Sequence, residues 1–170
     1  MQVGESFIGE GADAAHVNIV FGVREGPVGV AWATALATPT AGHTPFVVVV
    51  QPGLAVKPFT LFVNKATIAG DDHARMTWGP AQAGVAAGVA EALADAIVDA
   101  EWLVIAAVWV DPAARDADAV FANNREATIM AIEAGVAGHP SIDDVLLSRN
   151  EPRNPFYQRP GFMRPSGSSA

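Results

Sequence analysis

His16 and Asn18 stand two residues apart in the segment Ala14–Gly22, whose apolar and polar residues alternate as they do in a β-strand. Side chains on a strand point to opposite faces in turn, so Val17, Ile19 and Phe21 share one face and His16 and Asn18 the other. An imidazole with its ordinary pKa of about 6.5 gives and accepts protons near neutrality. From spacing alone His16 has two readings: a strand-edge histidine satisfied by hydrogen bonds, or a general acid. Lys65 is one of two lysines in the chain, and its strand neighbours Leu61 and Val63 are apolar. A charge placed there needs a partner or an open cleft. It reads either as a cation that orients a ligand or as a lysine snorkelling from an edge strand. A Schiff-base role ranks lower, because an ammonium is not a nucleophile. Thr67, two residues on, is expected to point the same way, though strand propensity alone explains a threonine there. Gln82 brings an amide donor and acceptor to a helix start, where it can read a heterocycle edge or cap local backbone.

Other groups carry less. Asp71-Asp72-His73 has metal-ligand types but falls in a segment expected to be a solvated loop. His43 and His139 adjoin Gly and Pro and read as loop residues. Gly9-Glu10-Gly11 lacks the third glycine and the following helix of a dinucleotide fingerprint. No P-loop, HExxH or GxSxG motif occurs, and no metal site is expected.

Positioning these residues requires strands and helices in the order ββαββαβα. Strands are expected at Gln2–Ile8, Ala14–Gly22, Phe46–Gln51, Phe59–Ile68 and Trp102–Val110. Leu61, Val63, Lys65 and Thr67 would then line one face of the fourth. Val28–Ala37 reads as a helix. Gly79-Pro80 opens another, whose apolar stripe is Val85, Val89, Leu93 and Ile97, with Gln82 extending it. Asp116–Ala137 is a long helix closed by Gly138 and Pro140. Residues 39–45 and 70–77 are expected to be loops. Mixed strands and helices without strict βαβ alternation make an α+β domain. The domain is expected to span residues 1–148. A tail rich in Pro, Arg and Ser follows at 149–170, either disordered or packing Phe156, Tyr157 and Phe162 on a neighbouring subunit.

Composition narrows the partners. The 170 residues are 51% hydrophobic and 16% charged, against an average charged fraction near 25%. That balance points to a surface partly covered by other subunits. The formal charge is −8, and no basic cluster precedes residue 149, which argues against nucleic acid. The absence of cysteine rules out disulfides, thiolate zinc sites and a cysteine nucleophile, in keeping with a cytoplasmic protein. MQVGESFIGEGADAAH is not expected to act as a signal peptide, and Trp102–Val110 is too short to span a bilayer.

Three segments resemble the formaldehyde-activating enzyme family: VGESFIGEGADAAHVNIVFG (3–22), KPFTLFVNKATI (57–68) and GPAQAGVAAGVAEAL (79–93). NNREATIMAIEAGVAG (123–138) is similar to the family's C-terminal helix, so the resemblance spans about residues 2 to 140. It implies a mixed sheet covered by helices in a single ribosomal-protein-S5-like domain (domain 2 type). It also implies a ring-shaped homopentamer with a pterin site between subunits and no metal. Tetrahydromethanopterin is then a co-substrate rather than a bound cofactor. Carried over residue by residue, His16 is the acid, and Asn18, Val47, Lys65, Thr67 and Gln82 line the site. Asn18 stands where the family normally has Asp, Val47 where it has Leu, and Ala83 where it often has a second His.

The implied reaction suits these residue types. A reduced pterin amine adds to formaldehyde unaided, giving a hydroxymethyl amine. Ring closure to the methylene compound needs hydroxide to leave, and a proton donor converts it to water. The expected activity is therefore a hydro-lyase reaction of one-carbon metabolism, formaldehyde detoxification and methylotrophy. Two alternatives stay open: a non-catalytic binder or sensor of a pterin or other one-carbon carrier, and an enzyme joining an aldehyde to a different amine.

Overall fold

The computed structural model describes residues 1–154. The chain divides into two compact units, Met1–His139 and Pro140–Ala170. The first is an α+β domain. It contains β1 (Gln2–Ile8), β2 (Ala15–Val23), α1 (Pro27–Ala37), β3 (Phe46–Val47), β4 (Val49–Gln51), β5 (Leu54–Ala55) and β6 (Phe59–Asn64). These are followed by α2 (Asp71–Met76), α3 (Gln82–Ala94), β7 (Trp102–Trp109) and α4 (Ala117–Ala137). In the second unit α5 (Ile142–Ser148) starts at a capping box between Ser141 and Asp144.

Five strands form one mixed sheet in the order β1-β2-β7-β6-β3. Only β6 and β7 are parallel; the other neighbours are antiparallel. Register sorts the side chains onto two faces. Val17, Ile19 and Phe21 lie with Val104, Ala106, Val108 and Phe62 in the core, under α3 and α4. The opposite face carries Glu5 and Phe7 on β1, His16 and Asn18 on β2, and Ala107 and Trp109 on β7. The helix α1 packs on β2 and β7, burying Val28, and the strand residues Leu61 and Leu103 are buried as well.

Glycine lets the helices come close. A Cβ on Gly4 would lie 1.8 Å from the Ala131 carbonyl oxygen of α4, and one on Gly84 2.5 Å from that of Phe121. The α4 helix is well specified at both ends. Asp116 accepts hydrogen bonds from the Asp118 and Ala119 amides, and Gly138 adopts φ 69° at the other end.

Three expectations are corrected. Phe46–Gln51 is not one strand, because Val48 breaks it. Its N–H donates to Thr60 in β6, while its carbonyl accepts from Val56, so the chain crosses into a two-stranded ribbon, β4–β5. The fourth strand ends at Asn64, whose amide donates to the carbonyls of Gly42 and Ala66 and curls the chain. Residues 70–77 are not a loop: α2 runs through a π turn (Thr77–Ala81), which holds Pro80, into α3. His73 pins this segment from inside. Its Nδ1 accepts from the Ala69 N–H at 3.0 Å, and its Nε2–H donates to the Val110 carbonyl at 3.0 Å. It is a buried structural clip, not a solvated loop residue. The tail residues Phe156, Tyr157 and Phe162 lie outside the described residues.

Candidate functional site

His16, Asn18 and Lys65 meet at the end of the open sheet face that α1 leaves uncovered. His16 is paired across the sheet with Phe7 and Trp109, and Asn18 with Glu5 and Ala107. Lys65 follows the last residue of β6, where its N–H donates to the Val108 carbonyl at 2.8 Å and extends the parallel ladder. From there Lys65 Nζ donates to Asn18 Oδ1 at 2.6 Å and approaches His16 Nδ1 at 3.2 Å. On the other side of the ring, His16 Nε2 lies 2.8 Å from Glu5 Oε1. An ammonium only donates, so Nδ1 accepts and the proton of the neutral imidazole sits on Nε2, facing Glu5. A continuous line of hydrogen bonds therefore runs from Lys65 through His16 to Glu5.

Electrostatics agree with a neutral ring. Burial lowers the His16 pKa below 6.5; the Lys65 charge lowers it further, and Glu5 opposes both. The Lys65 pKa is also lowered, by burial, with Glu5 pulling the other way. The His16 side chain keeps 33% of its surface exposed, so the ring is open to a reactant.

The remaining expected site residues do not join this cluster. Val47 pairs with Leu61, which puts it on the same sheet face. Thr67 lies past the end of β6, exposed, against the Gly42 turn, and does not follow Lys65 onto the sheet face. Gln82 is buried at the start of α3, where its Oε1 accepts from the Val49 N–H at 2.8 Å. It therefore holds the β4 ribbon to α3 rather than capping its own helix. Gln82→Ala is expected to leave that amide unsatisfied and to cost about 1–3 kcal/mol of stability, measured by denaturant unfolding.

Glu5 was not singled out from the sequence. The sequence carries only part of the signal: Gln2–Ile8 reads as a strand, but the register that puts Glu5 opposite Asn18 is set by the structure. Among the described residues no group of three His, Cys, Asp or Glu is arranged to hold a metal, and no helix is long and apolar enough to cross a membrane.

Comparison with known proteins agrees with the resemblance. The family model for the formaldehyde-activating enzyme (Fae) matches residues 3–157. The chain is 39% identical over 158 residues to the 5,6,7,8-tetrahydromethanopterin hydro-lyase of Methanosarcina barkeri, covering 91% of this chain and 89% of that protein. It is 41% identical over 154 residues to a bifunctional enzyme Fae/Hps of Methanococcoides burtonii, covering 88% of this chain and 39% of that one. The Archaeoglobus fulgidus bifunctional enzyme Fae/Hps is 37% identical over 162 residues, with 93% and 41% covered. The chain thus spans about two-fifths of the length of these bifunctional relatives.

Proposed function

The chain belongs to the formaldehyde-activating enzyme family, and from that premise we propose that it condenses formaldehyde with tetrahydromethanopterin, or a related reduced pterin, to the methylene-pterin and water. The observation that carries the proposal is the Lys65–His16–Glu5 line with Asn18 beside it, on an open sheet face in a chain of this family.

Atoms balance with one water lost. A pterin N–H nitrogen adds its lone pair to the formaldehyde carbon, and the carbonyl π pair becomes an oxyanion that takes up the proton this nitrogen gives up. His16, in its imidazolium form, then donates a proton to the hydroxyl oxygen of the hydroxymethyl amine as the C–O bond breaks, and water leaves. The resulting iminium carbon is closed by the second pterin nitrogen, which releases its proton and restores the balance. Lys65 supplies positive charge at the ring, and Asn18 holds its ammonium. Val47, Thr67 and Gln82 complete the pterin site in this reading, with a neighbouring subunit of a homopentamer closing it. The protein then works in the cytoplasm, in one-carbon metabolism and formaldehyde detoxification, with methylotrophy as its setting. It needs no permanently bound cofactor or metal.

Asn18, where the family normally has Asp, favours a second reading: a binder of reduced pterin that has lost turnover. One paired experiment separates the two. Methylene-pterin formation is followed by absorbance for wild type and Asn18→Asp, with pterin binding measured by calorimetry. Wild-type acceleration is expected. Asn18→Asp should raise kcat/KM severalfold, because a carboxylate gives Lys65 an ion pair where the amide gives only an ion–dipole contact. Pterin binding without wild-type acceleration, together with turnover gained in Asn18→Asp, would select the binder instead.

A further inference from the structure

We propose that Glu5 is a positioning residue for the same reaction: it holds the His16 proton on Nε2 and keeps Nδ1 as the nitrogen that meets Lys65. This rests on the hydro-lyase reading only for its kinetic consequence; the geometric part stands by itself.

The strand register is fixed. Glu5 lies opposite Asn18 on β1, diagonal to His16, which pairs with Phe7. Diagonal neighbours across an antiparallel pair are about 7–8 Å apart, within reach of a long side chain. Gly4 and Ser6 turn toward the core, and Gly4 sits so close to the Ala131 carbonyl of α4 that no side chain fits there. A slip of one residue would drive Glu5 into that contact, so the α4 packing holds the carboxylate on the open face.

The hydrogen-bond roles follow from the partners. A neutral imidazole has one N–H and one lone pair. Lys65 Nζ, at 3.2 Å, can only donate, so it takes the lone pair of Nδ1. The Nε2–H then needs an acceptor, and the Glu5 carboxylate is at 2.8 Å. The Phe7 ring, with its centroid 5.9 Å from that of His16, flanks the imidazole but offers no acceptor. Without Glu5 the Nε2–H loses its protein acceptor, and only the 3.2 Å contact from Lys65, whose shorter 2.6 Å bond goes to Asn18, is left to hold the ring; the ring is then free to rotate or to change tautomer. Carboxylates that orient a metal-bound histidine are worth about 10–100-fold when removed, and the same order is expected for this one.

The test uses the full chain and two variants. Imidazole nitrogen NMR of histidine-labelled protein reads the tautomer, with the His16 signals assigned by their loss in His16→Gln. Wild type is expected to show a protonated Nε2 and an unprotonated Nδ1. Glu5→Ala should lose that single tautomer and lower kcat by about 10–100-fold, with KM changed by less than about threefold. Glu5→Gln keeps an acceptor oxygen for the Nε2–H while Lys65 stays on Nδ1, so the tautomer and most of kcat should return. Thermal melts of both variants near that of wild type separate this effect from unfolding. Glu5→Ala with an unchanged His16 tautomer would overturn the proposal. Should wild type show no turnover, the hydro-lyase reading fails while the tautomer result still decides the role of Glu5.

Discussion

His16→Ala is expected to remove roughly 10²–10⁴-fold of the rate of methylene-pterin formation, the range that a positioned acid contributes. The loss should fall on kcat, because the Lys65–Asn18 contact survives the substitution and continues to bind. The pH profile gives the expectation a sign. Burial first, and Lys65 second, hold the folded-state pKa of His16 below 6.5. The imidazolium is therefore a minority species at neutral pH and a stronger acid when it forms. The His16-dependent rate should rise as pH falls from 8 through 6.5 and level off below the lowered pKa. His16→Ala should lose that rise. Linkage runs the same shift the other way for stability. The unfolded chain takes up the proton near 6.5 while the folded chain resists it, so stability present above about 6.5 declines as pH falls toward the folded value. Activity that increases on acidification while the melting temperature drops is the joint signature. A pH profile identical in wild type and His16→Ala would show that the proton comes from elsewhere.

Gly4→Ala should produce a large loss of stability for a one-methyl change in side chain. The new methyl would meet the Ala131 carbonyl oxygen at 1.8 Å and the Gly135 amide nitrogen at 3.1 Å. Both are backbone atoms of α4, so relief requires the helix and β1 to part. Overpacking of this kind costs about 1–3 kcal/mol and occasionally more, and this contact belongs at the upper end. For a chain of this size each kcal/mol lowers Tm by about 2–4 °C, so a drop of about 6–12 °C is expected by calorimetry. Gly79→Ala is the control. Nothing lies within 4 Å of its added Cβ, and its φ is outside the left-handed region, so it should melt at or above the wild-type temperature. Because Glu5 follows Gly4 on the same strand, Gly4→Ala should also lower activity. If it melts with wild type, the α4 contact does not fix the β1 register.

Much of this arrangement was legible in the sequence. The alternation in Ala14–Gly22 placed His16 and Asn18 on one face, and register confirms that they face away from Val17, Ile19 and Phe21. The helix Asp116–Ala137 with its stop at Gly138 matches α4 to within a residue at each end. What escaped did so for physical reasons. Phe46–Val50 is apolar throughout, so the sequence gives no sign that Val48 hands the chain from one sheet to another. DDHARM carries no apolar stripe, and its helix is held instead by a buried histidine bonded to Val110, 37 residues away. The strand holding Lys65 looked longer than it is, because the turn is made by Asn64 binding backbone at Gly42, a tertiary contact. That early turn takes Thr67 off the sheet face. Glu5 was overlooked because an acidic residue on an exposed strand face is ordinary until the His16 ring is known to lie diagonally across from it.

The most direct test of the central claim is the initial rate of methylene-tetrahydromethanopterin formation at low formaldehyde, followed by absorbance against protein concentration. Pterin and formaldehyde also react without protein, so only the increment over that background counts. A rate that rises linearly with protein above the spontaneous reaction is the predicted result. A rate equal to the protein-free background at every protein concentration would contradict it.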